Sequence, residues 1–335
     1  MTATAAACST PILVWNIQHD WVSLRHVAGQ AGPSSETMAI RWFGPGAYVG
    51  VQVALLLGFW FLAWLAAMAT HRPTRERDLG IRYLWWMSAP VFVVFLVFSL
   101  RTAGEPNWPI AAYISGFVLA VAWIVCQLER THGWARLSMA ITLSGACGLG
   151  LVLTLFMHRS EWAHPVLARL VGSSSPENPL PLRRLDPTCR LRGWRTLAAE
   201  VDRLRMALRQ EGVEAELAAS GWTLPGELGF YCEGHPVAYS LGLGLGDRHS
   251  QYDLWRPNPL ADVDAFRGRT FIFVGNVSSQ LKAGFQEVDT PLVVTHVQNG
   301  EPLAEWTVSV CRGFRGLPSA VADRLAAESK EAHRW

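Results

Sequence analysis

The sequence is short of charge. Charged residues occupy 17% of its 335 positions, against roughly 25% in an ordinary soluble domain. Lysine is missing from the first 160 residues, where six acidic residues stand beside ten arginines. A net charge of only +2 excludes a basic nucleic-acid coat. A composition that is 50% hydrophobic excludes a disordered chain. No phosphate-cradling loop is present, because Gly242, Gly244 and Gly246 alternate with leucine. There is no HExxH, the ten histidines are scattered, and the six cysteines fall in no zinc spacing. Met1 to Val14 lacks the basic start of a signal peptide. Thr4 to Val14 instead has the composition of the tail end of a spanning helix that begins upstream.

Aromatic residues and long apolar runs are plentiful. The chain carries 16 Trp and 14 Phe. A bilayer core of about 30 Å needs about 20 apolar residues in a helix. Uncharged runs of that order cover residues 47–70, 83–100, 109–128 and 137–157. The expected organisation is therefore a membrane domain over 1–160, a linker over 161–193 and a small α/β domain over 194–335. Gly145, Gly148 and Gly150 offer close-approach points for a neighbouring helix. The loop from His71 to Arg82 carries Arg72, Arg75, Arg77 and Arg82 and should face the cytoplasm. Alternation then puts the loop at 101–109 and the C-terminal domain on the outer, periplasmic side of a bacterial inner membrane. The spans carry no charge and few polar groups, chiefly Gln52, which argues against a transporter of charged solutes.

In the second half, Trp194, Leu197, Val201, Leu204 and Leu208 give a helical period. Strands are expected at 214–220, 236–241, 270–274, 291–297 and 305–310, with a short helix at 225–231 and a tail helix at 319–333. Gly172 to Pro187 reads as a linker. Arg183, Arg184, Arg190, Arg192 and Arg195 form a basic patch suited to anionic headgroups, a lipid-linked phosphate or plain solvent. Cys189, Cys232 and Cys311 fall on the outer side, where oxidation is allowed, and Cys232 with Cys311 is the natural pair.

Polar groups cluster at two outer-facing membrane edges. Trp15, Asn16, Gln18, His19, Asp20, Trp21, Arg25 and His26 follow the first apolar stretch, either capping a helix or lining a substrate cleft. Arg101, Glu105, Asn107 and Trp108 lie in a loop stiffened by Pro106 and Pro109, either a plain hairpin or a contact for a sugar or headgroup.

PILVWNIQHDWVSLRH, at 11–26, resembles a segment of bacterial membrane glycosyltransferases of the protein mannosyltransferase type, glycosyltransferase family 39, relatives of the lipid A aminoarabinose transferases. EPNWP at 105–109, GELGFYCEGHP at 226–236 and SQYDLW at 250–255 resemble later parts of the same proteins, in the same order. The resemblance covers about residues 10–275 and implies the C-terminal portion of such an enzyme. It implies a partial GT-C fold, with about four spans plus a truncated one. The implied reaction is transfer of a sugar from a polyprenyl-phosphate donor to a lipid, glycan or protein at the outer face, in contact with membrane lipids. The family's base, an acidic residue of an early outer loop, is expected upstream of this chain. No catalytic residue is therefore assigned, and Asp20 does not inherit that role. A divalent metal is implied for some members, without assigned ligands here. His19, Arg25, His26 or Arg101 would face the departing phosphate. Trp15, Trp21 and Trp108 would stack on a sugar or anchor the protein. Gln251, Tyr252 and Trp255 would close over the acceptor. The alternative is a catalytically inactive membrane fragment or scaffold whose outer domain binds a partner.

Overall fold

The computed structural model describes residues 2–19, 21–24, 40–75, 77–102, 104–172, 174–247 and 250–317. The chain divides into two compact units, Met1–Leu155 and Phe156–Trp335.

The first unit is helical. Helix α1 spans Thr2–Gln18. The uncharged run at 47–70 is two helices, α2 (Gly44–Leu55) and α3 (Phe59–Thr70), bent by 113°. Leu57 and Gly58 take left-handed φ values of 53° and 65°, and such a reversal ends a helix where Gly removes the Cβ clash. The bend makes this pair a broken span or a re-entrant loop. Helix α4 spans Leu79–Phe98, and Asp78 caps it by accepting from Ile81 N–H at 3.0 Å. Helices α5 (Ile110–Arg130) and α6 (Gly133–His158) follow. Three helices, α4 to α6, are long and apolar enough to cross a membrane, and the bent pair makes a fourth if it is one span. This is a multi-pass membrane region.

Its core lies where α3, α4 and α5 meet. The Trp64 indole N–H donates to Ser88 Oγ at 2.9 Å, and Ser88 Oγ–H donates to the Ala112 carbonyl at 2.6 Å. Gly116 makes room for this clamp, since a Cβ there would lie 2.4 Å from Trp64 Nε1. Helix α6 has no buried residue. A Cβ at Gly145 or Gly148 would meet nothing within 4 Å, whereas one at Gly150 would lie 3.8 Å from Leu57 Cδ1, so of the three expected approach points only Gly150 faces a neighbouring segment among the described residues.

The second unit begins with compact turns. The stretch expected as a linker is folded into a turn at Ser160–Trp162, helix α7 (His164–Val171) and turns at Pro181–Arg184 and Pro187–Leu191. Leu182, Cys189 and Leu303 are fully buried there, beside Leu167, Ala168 and Val171. The apolar side chains that hold it are spaced by turns and show no period.

Next come α8 (Trp194–Gln210), β1 (Ala215–Ala219), α9 (Thr223–Tyr231), β2 (Ala238–Ser240), α10 (Val263–Phe266) and β3 (Thr270–Val274). The described part of the unit ends with α11 (Ser279–Ala283), β4 (Glu287–Val288), β5 (Leu292–Gln298) and β6 (Glu301–Arg312). The sheet order is β2-β1-β3-β6-β4, with β5 also on β6. β2, β1 and β3 run parallel, and β6 runs antiparallel to β3, β4 and β5. Side chains alternate across the strands. Leu217, Ala219, Ile272, Val274, Val308 and Val310 pack with Leu197, Val201 and Leu228 of α8 and α9. Ala218, Phe271, Phe273 and Cys311 pack on the other face with Phe266, Leu281, Phe285 and Phe314. The result is the small α/β domain that the strand–helix alternation predicts.

The expected Cys232–Cys311 bridge is absent. Both are free thiols. Cys232 packs on the α8 face and Cys311 on the opposite face, and no bond of about 2 Å crosses a sheet. The tail helix predicted at 319–333 lies outside the described residues.

Candidate functional site

The polar set at the end of α1 is built by one reversal of the chain. Trp21 takes a left-handed φ of 57°, and its N–H donates to the Asn16 carbonyl at 2.7 Å. Asn16 is buried. Its amide donates to the Ile12 carbonyl at 3.0 Å, and its Oδ1 accepts from Ser23 N–H at 3.3 Å. Asn16 is thus the cap of this turn, and both sides of its amide are used. His19 stacks on Trp15 with ring centroids 4.2 Å apart. His19 Nδ1 lies 2.7 Å from the Trp15 carbonyl. A carbonyl only accepts, so Nδ1 carries a proton and Nε2 is the nitrogen left for another partner. Gln18 is exposed, as is Trp21. Asp20, Arg25 and His26 lie outside the described residues.

The loop between α4 and α5 is pinned from beneath. Gln52 of α2 is buried, and its Nε2 donates to the Pro106 carbonyl at 3.1 Å. Gln52 Oε1 accepts the Tyr113 hydroxyl at 3.0 Å. One buried amide therefore ties α2, α5 and the loop together. Trp108 packs on Phe95 with centroids 5.9 Å apart. Arg101, Glu105 and Asn107 are exposed. Tyr48, Phe95, Ser99, Thr102, Glu105 and Trp108 rim a shallow cleft. The sequence marks Gln52 only as a polar residue in an apolar run, and its role in holding the loop depends on contacts 54 and 61 residues away.

Gln251, Tyr252 and Trp255 belong to the second unit. Ser250 and Asp253 form a capping box that starts a short turn at Gln251–Asp253. Tyr252 and Trp255 meet edge-on at 4.9 Å. The Tyr252 carbonyl accepts from Asn258 Nδ2 at 2.8 Å. Gly226 leaves room for the Tyr252 hydroxyl, which would sit 3.2 Å from a Cβ there. The fold thus joins the GELGFYCEGHP and SQYDLW stretches. Burial raises the Tyr252 pKa, with the Glu227 charge adding to it.

A further cluster lies in the stretch read as a linker. His164 Nε2 is 2.9 Å from Asp186 Oδ2, and both side chains are buried. Asp186 Oδ1 accepts from Thr188 N–H at 2.8 Å and from the Thr188 hydroxyl at 2.7 Å. Burial opposes ionisation of Asp186, but hydrogen bonds from Thr188, Ser160 and His164 outweigh it and hold the carboxyl well below its usual range. Cys189 is buried beside it, and burial together with the Asp186 charge pushes its thiol up to about 11. Ligand atoms of His164, Asp186 and Cys189 lie within 4.8 Å of one another, a grouping able to chelate a metal. Sequence spacing gives no sign of it, since 22 residues separate His164 from Asp186. Arg192 lies alongside, donating to Ser160 Oγ at 3.0 Å and to Glu161 at 2.7 Å.

No protein-family model matches the chain, and no solved structure matches it. Among curated proteins, 163 residues, 47% of this chain, are 31% identical to the lipid A galacturonosyltransferase RgtD of Rhizobium johnstonii. That match spans 32% of the relative's length, about a third. With its multi-pass helical region and separate α/β domain, the chain is thus similar over nearly half its length to part of a bacterial sugar transferase acting on a lipid.

Proposed function

We propose that the chain is part of an integral-membrane glycosyltransferase that moves a sugar from a polyprenyl-phosphate donor to an acceptor at the outer membrane face. The supporting observation is the 31% identity to a lipid A galacturonosyltransferase. On this reading, lipid A is the first acceptor to test and galacturonic acid the first sugar. The transfer chemistry is of the GT-C type, and the membrane is the bacterial inner membrane. The arginine-rich loop at 71–82 faces the cytoplasm, and the α/β domain lies on the periplasmic side.

The donor keeps its tail in lipid and its phosphate at the interface. As the phosphate leaves, cationic and hydrogen-bond donor groups stabilise the charge it gains. Exposed Arg101 is suited to this, as is Arg25 by its residue type. His19, through its Nε2, forms a hydrogen bond with a sugar or acceptor hydroxyl. Trp15 and Trp108 offer flat faces to a sugar ring. Tyr252 and Trp255 form the corresponding aromatic surface of the α/β domain.

The test is transfer in membranes carrying the complete protein, with polyprenyl-phosphate-linked galacturonic acid and lipid A, read as the mass gain of one hexuronate. Transfer that falls with Arg101→Ala and His19→Ala supports the reading. Absence of transfer to any lipid acceptor, under conditions where the Rhizobium enzyme is active, removes it.

A further inference from the structure

We infer that His164, Asp186 and Cys189 form a zinc site in the extramembrane unit. The inference does not rest on the glycosyltransferase reading. The three residues bring one imidazole nitrogen, one carboxylate oxygen and one sulfur within 4.8 Å of one another. A mixed N, O and S set suits zinc, whereas magnesium and calcium take oxygen alone.

A further feature of the structure points the same way. His164 Nε2 and Asp186 Oδ2 already lie 2.9 Å apart, so one ion in place of the shared proton could take both as ligands. Asp186 is itself oriented by both the backbone and hydroxyl of Thr188. The donors are therefore placed before any metal arrives.

The surroundings fit a structural site better than a catalytic one. All three residues are buried. They join the first residue of α7 to the turn at Pro187–Leu191, in a region whose apolar core among the described residues is small: Leu182, Cys189 and Leu303 with three partners from α7. A metal here would clamp the start of the α/β unit to itself. The chain supplies three ligands, which leaves a place for a water molecule or a further side chain.

The experiment uses the full chain in detergent, purified without metal-affinity resin. Zinc content is measured by mass spectrometry, and cobalt is titrated into the metal-free protein while its spectrum is followed. The expected result is stoichiometric zinc, a thiolate-to-cobalt charge-transfer band, and a melting temperature that rises with zinc. Cys189→Ser should abolish the band and weaken zinc binding by roughly 10–100-fold or more, and the zinc-dependent rise is read against that variant's own metal-free melting temperature. Cys126→Ser, in the membrane region, should leave both unchanged. A parent protein that takes up no zinc and shows no charge-transfer band overturns the inference. So does zinc binding that survives Cys189→Ser at full strength, because the ion is then held elsewhere.

Discussion

Gln52 is the point at which the loop at 101–109 is most open to test. It is 1% exposed and bonded to both Pro106 and Tyr113. Gln52→Leu keeps the volume roughly constant but strands a carbonyl and a hydroxyl in apolar surroundings. Side-chain hydrogen bonds between membrane helices average about 0.6 kcal/mol and reach about 1.7. Two of them put the loss at about 1–3 kcal/mol. Tyr113→Phe alone removes one bond and should cost about 0.5–1.5 kcal/mol. In the Gln52→Leu background the sign should reverse, because Tyr113→Phe then deletes a hydroxyl that has already lost its partner. Unfolding in mixed micelles, followed by tryptophan fluorescence, measures all four proteins of this cycle. The coupling should be about 1 kcal/mol or more. If Tyr113→Phe costs the same in both backgrounds, the buried amide does not hold the loop as described.

Gly116→Ala should destabilise the helical unit by about 1–3 kcal/mol, since its Cβ would lie 2.5 Å from Ser88 Oγ; Gly145→Ala, with open space around it, should be nearly neutral in the same unfolding assay, and equal losses would count against the clamp. Burial, with the Arg192 charge adding to it, lowers the His296 pKa from 6.5, so the unfolded chain takes up this proton first. The contribution is intact above about pH 6.5 and is lost as pH falls below it; denaturant midpoints on either side should differ in that sense, and His296→Gln should lose that part of the difference. Cys232 and Cys311 are buried and free, with thiols pushed by burial up to about 12. An alkylating reagent should modify them only after denaturation, and intact-mass measurement without reductant should find no bridge between them.

The large features of the chain were legible because they rest on composition and period. Long uncharged runs lead to α4, α5 and α6, and the FIFV run leads to β3 at the centre of the sheet. Features that depend on contacts distant in sequence were not legible. The bend at Leu57 and Gly58 leaves hydropathy unbroken, so a window average passes over it. The folded stretch at 160–191 resembles a linker in composition because its core is made of a few leucines and one cysteine rather than a periodic face. Cys232 and Cys311 look pairable by residue type, and only the parity of their strand and helix positions places them on opposite faces. The candidate site divides in the same way. Trp15, Asn16 and His19 could be singled out as polar and interfacial, but the assignment of Asn16 to capping needed its two hydrogen bonds. The group His164, Asp186 and Cys189 has no spacing that a sequence reading could use.

The long strand β6 bears on the order in which the α/β unit assembles. It meets β5 across a two-residue turn, Asn299 and Gly300, both with left-handed φ values of 54° and 82°. Such turns nucleate hairpins in about 1–10 μs. The parallel pairing of β1 with β3 instead joins Ala215 to Thr270, and closing that longer loop costs roughly 2 kcal/mol more in chain entropy than closing the hairpin. The last strands in sequence are therefore the first able to pair. On loop entropy alone, β3 meets an edge that already exists, and its pairing is the slower of the two closures.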